Sequence, residues 1–183
     1  MCRLSIGLAK ALSGELVIRR FRNPDGPRVR DLVIEVNRLL SPPDLRDAFE
    51  AYIERALVDE IDRIDDYYAE HGGGFWVAML GGGLVGTFGL ERASADAMEL
   101  RRMYVNPQAR RRGIGRRMLR YAEDECRRRG IKRLELSTAE IQAEALALYR
   151  NAGYRPVREE FAERGSSKTV GSGMRRFYFE KAL

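Results

Sequence analysis

Cysteine, histidine and long apolar runs are scarce in this chain. Two cysteines, Cys2 and Cys126, and a single histidine, His71, are present, which is too few for a disulfide framework or a Cys/His metal cluster. No apolar run approaches the roughly 20 residues that cross a bilayer, and residues 1–16 lack the apolar centre and cleavage site of a signal peptide. These absences predict a cytoplasmic protein with free thiols, no membrane segment and no bound metal.

The length and composition are typical of one globular domain. A chain of 183 residues lies within the usual size of a single domain, and 44% hydrophobic with 33% charged residues differs from disordered and membrane compositions. Residues 1–15 mix apolar, basic and small residues without a sustained period, so we expect a flexible leader there. Residues 16–183 are predicted to form one domain.

Positive charge is concentrated in one part of the chain. The net charge is +6, and the arginines crowd residues 101–120: Arg101, Arg102, Arg110, Arg111, Arg112, Arg116, Arg117 and Arg120. Such a cluster indicates a polyanionic partner, and charge alone leaves nucleic acid, a membrane surface and cofactor phosphates as alternatives. Solvated arginines of an Arg-rich composition are a further interpretation.

Hydrophobic periodicity and turn residues predict the order β-α-α-β-β-β-α-β-α-β-β. Strands are expected near residues 16–21, 75–79, 84–90, 99–105, 131–136, 154–161 and 175–181, separated by helices near 32–40, 49–64, 113–130 and before 151. The second helix is expected to break near Val58, and Ser137 with Glu140 to form a capping box for the last helix. Antiparallel hairpins with a helical crossover predict an α+β (mixed α/β) fold of about seven strands.

The pattern Arg110-x-x-Gly113-x-Gly115 lies between a strand stopped by Pro107 and an amphipathic helix. The N–H groups of a first helical turn have no helical acceptor, and the positive end of the helix dipole favours an anion there. The glycines let phosphate approach the backbone closely. The pattern therefore predicts a phosphate site, with a plain tight turn as the alternative, and it differs from the GxGxxG of dinucleotide-binding folds.

Two ordered stretches resemble motifs of the GNAT acetyltransferases. MELRRMYVNP at residues 98–107, followed by RRRGIG at 110–115, is similar to the family's acetyl-CoA motif, Arg/Gln-x-x-Gly-x-Gly/Ala. ALALYRNAGY at residues 145–154 is similar to the second landmark, Ala-x-x-Leu-Tyr-x-x-x-Gly-Phe/Tyr. The resemblance implies one acetyltransferase domain at 16–183, with a central mixed, mostly antiparallel sheet flanked by helices.

The resemblance also implies where acetyl-CoA binds. The sheet would splay between the strands at 99–105 and 131–136, with the pantetheine arm in the gap and the backbone N–H of Val105 polarising the thioester carbonyl. Gln142 stands where many members have an asparagine, so its contact with pantetheine comes from a longer side chain. The implied cofactor-binding residues are Met103, Tyr104, Val105, Arg110, Arg111, Arg112, Gly113, Ile114, Gly115, Arg116, Gln142 and Tyr149.

Two catalytic residues follow from the same resemblance. Tyr149 falls on the family tyrosine whose hydroxyl lies near the departing sulfur and can protonate it; packing inside an Ala/Leu-rich helix is the alternative. Glu99 matches the glutamate that serves as general base in the histone acetyltransferase branch, and a strand carboxylate paired with Arg101 is the alternative. His71 is a further candidate for the base.

The expected function is acetyl transfer from acetyl-CoA to a primary amine of a small molecule or protein by direct attack. A non-catalytic CoA sensor and a nucleic-acid-binding module stay open, although the arginines lack the interleaved aromatics of the latter. The acceptor site is expected between the helices of residues 29–70 and the loop at 165–173, with Tyr67, Tyr68 and Trp76 as candidate lining residues. A homodimer is left open.

Overall fold

A seven-stranded sheet forms the centre of the protein, in the order β1-β2-β3-β4-β5-β7-β6. The computed structural model describes residues 14–183, so residues 1–13 of the expected leader, including Cys2, lie outside the described residues. Among the described strands β4 and β5 run parallel and every other neighbouring pair is antiparallel, which confirms the predicted sheet type. The strands are β1 (Leu16–Arg20), β2 (Gly74–Leu80), β3 (Gly83–Arg92), β4 (Ala97–Val105), β5 (Arg133–Ala139), β6 (Arg155–Ala162) and β7 (Met174–Ala182).

Helices cover both faces of the sheet. The bounds are α1 (Gly26–Leu40), α2 (Arg46–Asp59), α3 (Ile64–Glu70), α4 (Ile114–Arg128) and α5 (Ala143–Asn151). The first three pack on one face and the last two on the other. The predicted second helix is two helices, because a 3₁₀ turn at Ile61–Arg63 separates α2 from α3. No helix of residues 14–183 is long and apolar enough to cross a membrane.

The central strands β2 and β3 are buried along almost their whole length, because helices cover them on both sides. Each face has its own apolar core. Met98, Met118 and Phe179 belong to the core under α4 and α5, and Val33 and Tyr68 to the core under α1, α2 and α3. These cores fix the ends of β4 and β5 relative to the helices around them.

The parallel strands β4 and β5 separate after a short paired stretch. Residues 97–100 pair with residues 133–136, and the pairing stops there. A β-bulge opposite Phe88 then bends β4, and Arg102 within it has a φ of 48°. This left-handed conformation costs free energy for a residue with a Cβ, and the Thr87 hydroxyl helps to hold it by donating to the Arg102 carbonyl at 2.9 Å. The bulge opens a gap between the two strand ends.

The predicted capping box of Ser137 and Glu140 is wrong. β5 continues to Ala139, and α5 begins at Ala143 after Gln142. Ser137 is held in the sheet opposite Tyr178 of β7, a contact between residues distant in sequence that a local pattern does not encode. The Gln142 side-chain oxygen instead accepts from the Ala139 N–H at 3.1 Å and closes the turn before α5.

Candidate active site

A groove of about 600 Å³ opens where β4 and β5 separate. Its walls are the end of β4, the loop that leads into α4, and the start of α5. Of the predicted cofactor-binding residues, Arg112 is exposed outside the groove. The others line it: Met103, Tyr104, Val105, Arg110, Arg111, Gly113, Ile114, Gly115, Arg116, Gln142 and Tyr149.

The backbone of β4 presents hydrogen-bonding groups to this groove. The Asn106 N–H donates to the Val85 carbonyl of β3 at 2.8 Å. Because the backbone groups of successive strand residues point to alternate sides, the N–H groups of Val105 and Met103 face away from β3, toward the gap. β5 is not paired with β4 at this level. An amide-containing ligand can therefore bind there as an added strand does.

The loop before α4 leaves backbone N–H groups without helical acceptors at one end of the groove. Gly113, which precedes the helix, has a φ of 73°, and Arg111 has a φ of 60°. The Arg117 N–H donates to the Gly113 carbonyl at 3.1 Å, so the N–H groups of the preceding helical turn have no helical acceptor. That turn contains no acidic residue. Bare N–H groups, the helix dipole and flanking arginines together favour a phosphate.

At Gly115, α4 lies close to the opposite wall of the groove. A Cβ at this position would lie 3.3 Å from Cδ2 of Leu148 in α5, and Met103 and Val105 side-chain atoms lie just beyond. Any larger side chain at residue 115 would fill the groove beside the first turn of α4.

A smaller cavity, of about 110 Å³, adjoins the groove on the side of α1 and α2. The groove and the cavity share residues at their junction: Leu40, Met103, Tyr104, Ile141, Gln142, Ala145 and Tyr149. Lys168, Thr169 and Val170 also line the cavity, so the loop at 165–173 contributes to it as expected. An amine in the cavity and a thioester in the groove would meet at this junction.

Tyr149 lies at the junction and is almost fully buried. Its hydroxyl donates to the Met103 sulfur at 3.9 Å. Burial raises the pKa of Tyr149 above its ordinary value. The hydroxyl is therefore protonated throughout the neutral range and available as a hydrogen-bond donor to a neighbouring anion.

Glu60 is fully buried beneath the smaller cavity, at the break between α2 and α3. Its carboxylate accepts from Arg101 at 2.7 Å, from Arg102 at 2.8 and 3.0 Å and from the Tyr68 hydroxyl at 2.6 Å. Arg102 also donates to the Tyr52 hydroxyl at 2.6 Å. These two arginines therefore point inward, and their assignment to a polyanion-binding cluster is wrong.

Glu91, Lys168 and Glu99 continue the polar network along the cavity. The Lys168 amine lies 2.7 Å from Glu91 Oε1 and 2.6 Å from Glu99 Oε2. Burial alone would raise the pKa of Glu91, but Arg101 and Lys168 outweigh it and lower that pKa to about 2. Burial would lower the pKa of Lys168, and the two glutamates raise it above its ordinary value. Glu99 pairs with Lys168, so the alternative in which it pairs with Arg101 is wrong.

Tyr104 lines both the groove and the smaller cavity. The sequence predicted it only as a cofactor-binding residue. Its hydroxyl accepts from the Asn37 side-chain amide at 3.4 Å. Burial alone would raise the pKa of Tyr104, but the charge of Arg102 outweighs it and lowers that pKa. Lys168 and Arg176 also line the smaller cavity, although no motif in their stretch of sequence pointed to them.

Several other predicted residues lie away from both spaces. His71 stacks on Tyr67 with ring centroids 4.1 Å apart, and neither residue lines the groove or the cavity. Tyr68 and Trp76 are fully buried in the two cores. Cys126 is a buried free thiol, and burial raises its pKa to about 11, which fits a core residue. Within residues 14–183 no group of three or more His, Cys, Asp or Glu side chains is arranged to hold a metal.

Comparison with known proteins agrees with this geometry. The chain is 30% identical over 118 residues to N-acetyltransferase 8 of Rattus norvegicus, covering 61% of this chain and 53% of that protein. It is 31% identical over 112 residues to N-acetylaspartate synthetase of Homo sapiens, covering 60% of this chain and 37% of that protein. The chain thus spans about half the length of these relatives or less.

The fold is shared with solved structures of low sequence identity. The PaiA N-acetyltransferase of Thermoplasma acidophilum, solved in complex with coenzyme A, superposes with a TM-score of 0.71 at 18% identity, covering 93% of this chain and 100% of that one. Residues 42–154 match the family model described as the acetyltransferase (GNAT) family. That match spans more than half of the sequence, and the chain therefore belongs to the GNAT acetyltransferase family.

Proposed function

We propose that this protein transfers an acetyl group from acetyl-CoA to a primary amine. The observation that carries the proposal is the junction of two spaces: a groove with an anion site at the N-terminus of α4, and a polar cavity that meets it at Tyr104 and Tyr149. A Thermoplasma protein of the same fold was solved with coenzyme A, which supports acetyl-CoA as the donor. Membership of the GNAT family supports the reaction type.

The residues suggest a direct mechanism. The pyrophosphate of acetyl-CoA binds the first turn of α4, and the pantetheine arm pairs with the free backbone of β4. The Val105 N–H donates to the thioester carbonyl and stabilises the oxyanion that forms when the amine nitrogen attacks it. The C–S bond then breaks, CoA leaves as a thiolate, and the amine proton passes to Glu99 directly or through water.

Tyr149 acts on the departing sulfur in this scheme. Because burial raises its pKa, complete proton transfer to a thiolate, whose ordinary pKa is near 8.5, is uphill. A hydrogen bond to the developing thiolate is available without that cost. We assign Tyr149 the role of a donor that stabilises the leaving group.

A cytoplasmic location belongs to the same proposal and is supported by Cys126, a buried free thiol. A homodimer stays a prediction. Val157 and Phe161 of the edge strand β6 are exposed apolar residues that a second copy would cover.

Acetyl-CoA is expected to stabilise the protein by about 2.7 kcal/mol at a hundredfold excess over its dissociation constant, and ADP to stabilise it less because it lacks the pantetheine arm. The rise in melting temperature with each ligand measures these two stabilisations. Gly115→Glu should abolish the shift, since a side chain and a negative charge then occupy the phosphate site. Gly26→Glu is the control, because residue 26 starts α1 and has open space around its Cβ position.

Release of free CoA with a panel of amines tests turnover. Stabilisation by acetyl-CoA without release from any amine would identify a CoA sensor. No stabilisation at all would overturn the proposed function. Salt-sensitive oligonucleotide binding in that case would favour the nucleic-acid-binding alternative.

Tyr149→Phe is expected to lower kcat about thirtyfold, in line with the loss of a hydrogen bond to a charged group, worth about 2 kcal/mol. The dissociation constant of acetyl-CoA should stay nearly unchanged, because the hydroxyl acts on a charge that develops during reaction. Tyr154→Phe is the control: its hydroxyl contacts Glu123 at 3.2 Å, outside the groove. Equal kcat values for Tyr149→Phe and the wild type, with chemistry rate-limiting, would assign Tyr149 to packing.

A further inference from the structure

The smaller cavity, which is the acceptor cavity of the proposed reaction, contains more positive than negative side chains. Four cationic residues line it: Arg101, Arg102, Lys168 and Arg176. Three carboxylates contact the first three of these cations: Glu60, Glu91 and Glu99. With all of these groups ionised, one positive charge is left over, and it belongs to Arg176.

Arg176 has only neutral partners among the residues that the structure describes. It lies on β7, opposite Ala139 of β5 on one side and Glu160 of β6 on the other. The Glu160 carboxylate binds Arg158 and the Tyr178 hydroxyl instead of Arg176. Its Nη1 donates to the Lys168 carbonyl at 2.7 Å, and its Nη2 donates to the Ser137 hydroxyl. No carboxylate of residues 14–183 lies within 4.0 Å of its guanidinium, although 21 such ion pairs form elsewhere in that part of the chain.

The unused N–H donors of this guanidinium suit a carboxylate. Arginine stays ionised at any physiological pH and offers five N–H donors in a planar fork, of which two are used here. A charge in a partly enclosed cavity gains more from an opposite charge than one in bulk water does. The two contacts to Ser137 and the Lys168 carbonyl hold the fork in place before a ligand arrives, which lowers the entropy cost of binding.

We propose that the acceptor is a small amine that also carries a carboxylate, and that Arg176 binds this carboxylate. This inference rests on the proposed acetyl transfer and adds the substrate class. Glu99, the proposed acceptor of the amine proton, lines the same cavity. A cavity of about 110 Å³ has room for several water molecules and thus for a small ligand. A phosphate monoester would bring almost two negative charges to one uncompensated positive charge, which favours a carboxylate.

The test compares acids with their amides as acceptors. The common L-amino acids, β-alanine and 4-aminobutyrate are each assayed for CoA release beside the corresponding carboxamide, with spermidine and O-phosphoethanolamine added. For the accepted compound, wild-type kcat/KM should be at least thirtyfold higher for the acid than for its amide, as expected for a charge-assisted contact. Arg176→Gln should bring that ratio near one, mainly by raising KM for the acid.

A purely structural role of Arg176 predicts another pattern. If Arg176 only anchors the loop at 165–173 through the Lys168 carbonyl, Arg176→Gln lowers kcat/KM for acid and amide equally, and the inference is wrong. Arg175→Gln is the matched control, because the neighbouring arginine pairs with Glu159 and does not line the cavity. Its acid-to-amide ratio should equal that of the wild type.

The outcomes separate this inference from the proposed function. CoA release that favours an amide, spermidine or O-phosphoethanolamine over every carboxylate-bearing amine overturns the substrate class and leaves acetyl transfer intact. No release with any amine overturns both. If Arg176→Gln does not fold, Arg176→Lys decides: it keeps the charge without the planar fork, so an intermediate ratio supports the assignment and an unchanged ratio rejects it.

Discussion

Replacing Glu60 with glutamine is expected to lower the free energy of unfolding by about 3–5 kcal/mol, as breaking a buried ion pair does. The Glu60 carboxylate is fully buried and accepts hydrogen bonds from two buried arginines, Arg101 and Arg102. A glutamine removes the negative charge and puts donors where the arginines also donate. Arg101 would keep Glu91 as a carboxylate partner, and Arg102 would lose its carboxylate.

The loss should be larger than for an ordinary pair because of the backbone at Arg102. Its φ of 48° is held by the contacts of its side chain, of which Glu60 supplies two. Without them the β4 bulge can relax, and the groove that depends on it changes shape. Acetyl-CoA affinity should therefore fall together with stability.

Urea unfolding of the wild type and the variant measures the effect. Glu50→Gln is the control, since Glu50 pairs with Arg38 on the exposed surface, and its midpoint should stay close to that of the wild type. If Glu60→Gln lowered the urea midpoint no more than Glu50→Gln does, the prediction would be wrong. The ion pairs of Glu60 with Arg101 and Arg102 would then add little to stability.

Glu99→Gln is expected to lower kcat/KM by roughly a hundredfold near pH 7, the usual contribution of a general base. The amine arrives mostly as an ammonium at that pH and must lose a proton before or during attack. Glutamine keeps the shape of the side chain and its contact with Lys168 but cannot accept the proton. Remaining activity should therefore shift toward higher pH, where more of the amine is already neutral.

Rate profiles over pH with a fixed acceptor test this assignment, and acetyl-CoA affinity should stay nearly intact in the variant. Glu135→Gln is a matched control, because Glu135 lies opposite Glu99 in the sheet but does not line the acceptor cavity. Rates within about threefold of the wild type across the whole range would rule out Glu99 as the base. Proton removal would then belong to solvent or to Tyr104, since His71 lies away from the cavity.

The local sequence was sufficient to predict most of the fold and the glycine turn that precedes α4. The alternation of residues 131–136, the helical period that includes Met118, and the glycines at 113 and 115 each act through contacts within a few residues. The break in the second predicted helix was expected near Val58 and lies just beyond it, at Glu60. Strands, helices and turns of this kind depend on residues that are close together along the chain, so they can be predicted from a single sequence.

The charged lining of the smaller cavity was decided by the tertiary structure. Glu60 meets Arg101 across 41 positions, Lys168 meets Glu99 across 69, and Arg176 meets Ser137 across 39. No local period marks these residues, because a charged side chain looks the same in a sequence whether it faces solvent or a buried partner. Only the sheet order, which places β7 beside β5 and the loop at 165–173 over β4, brings these charges together. Among residues 14–183 it leaves Arg176 without a paired carboxylate.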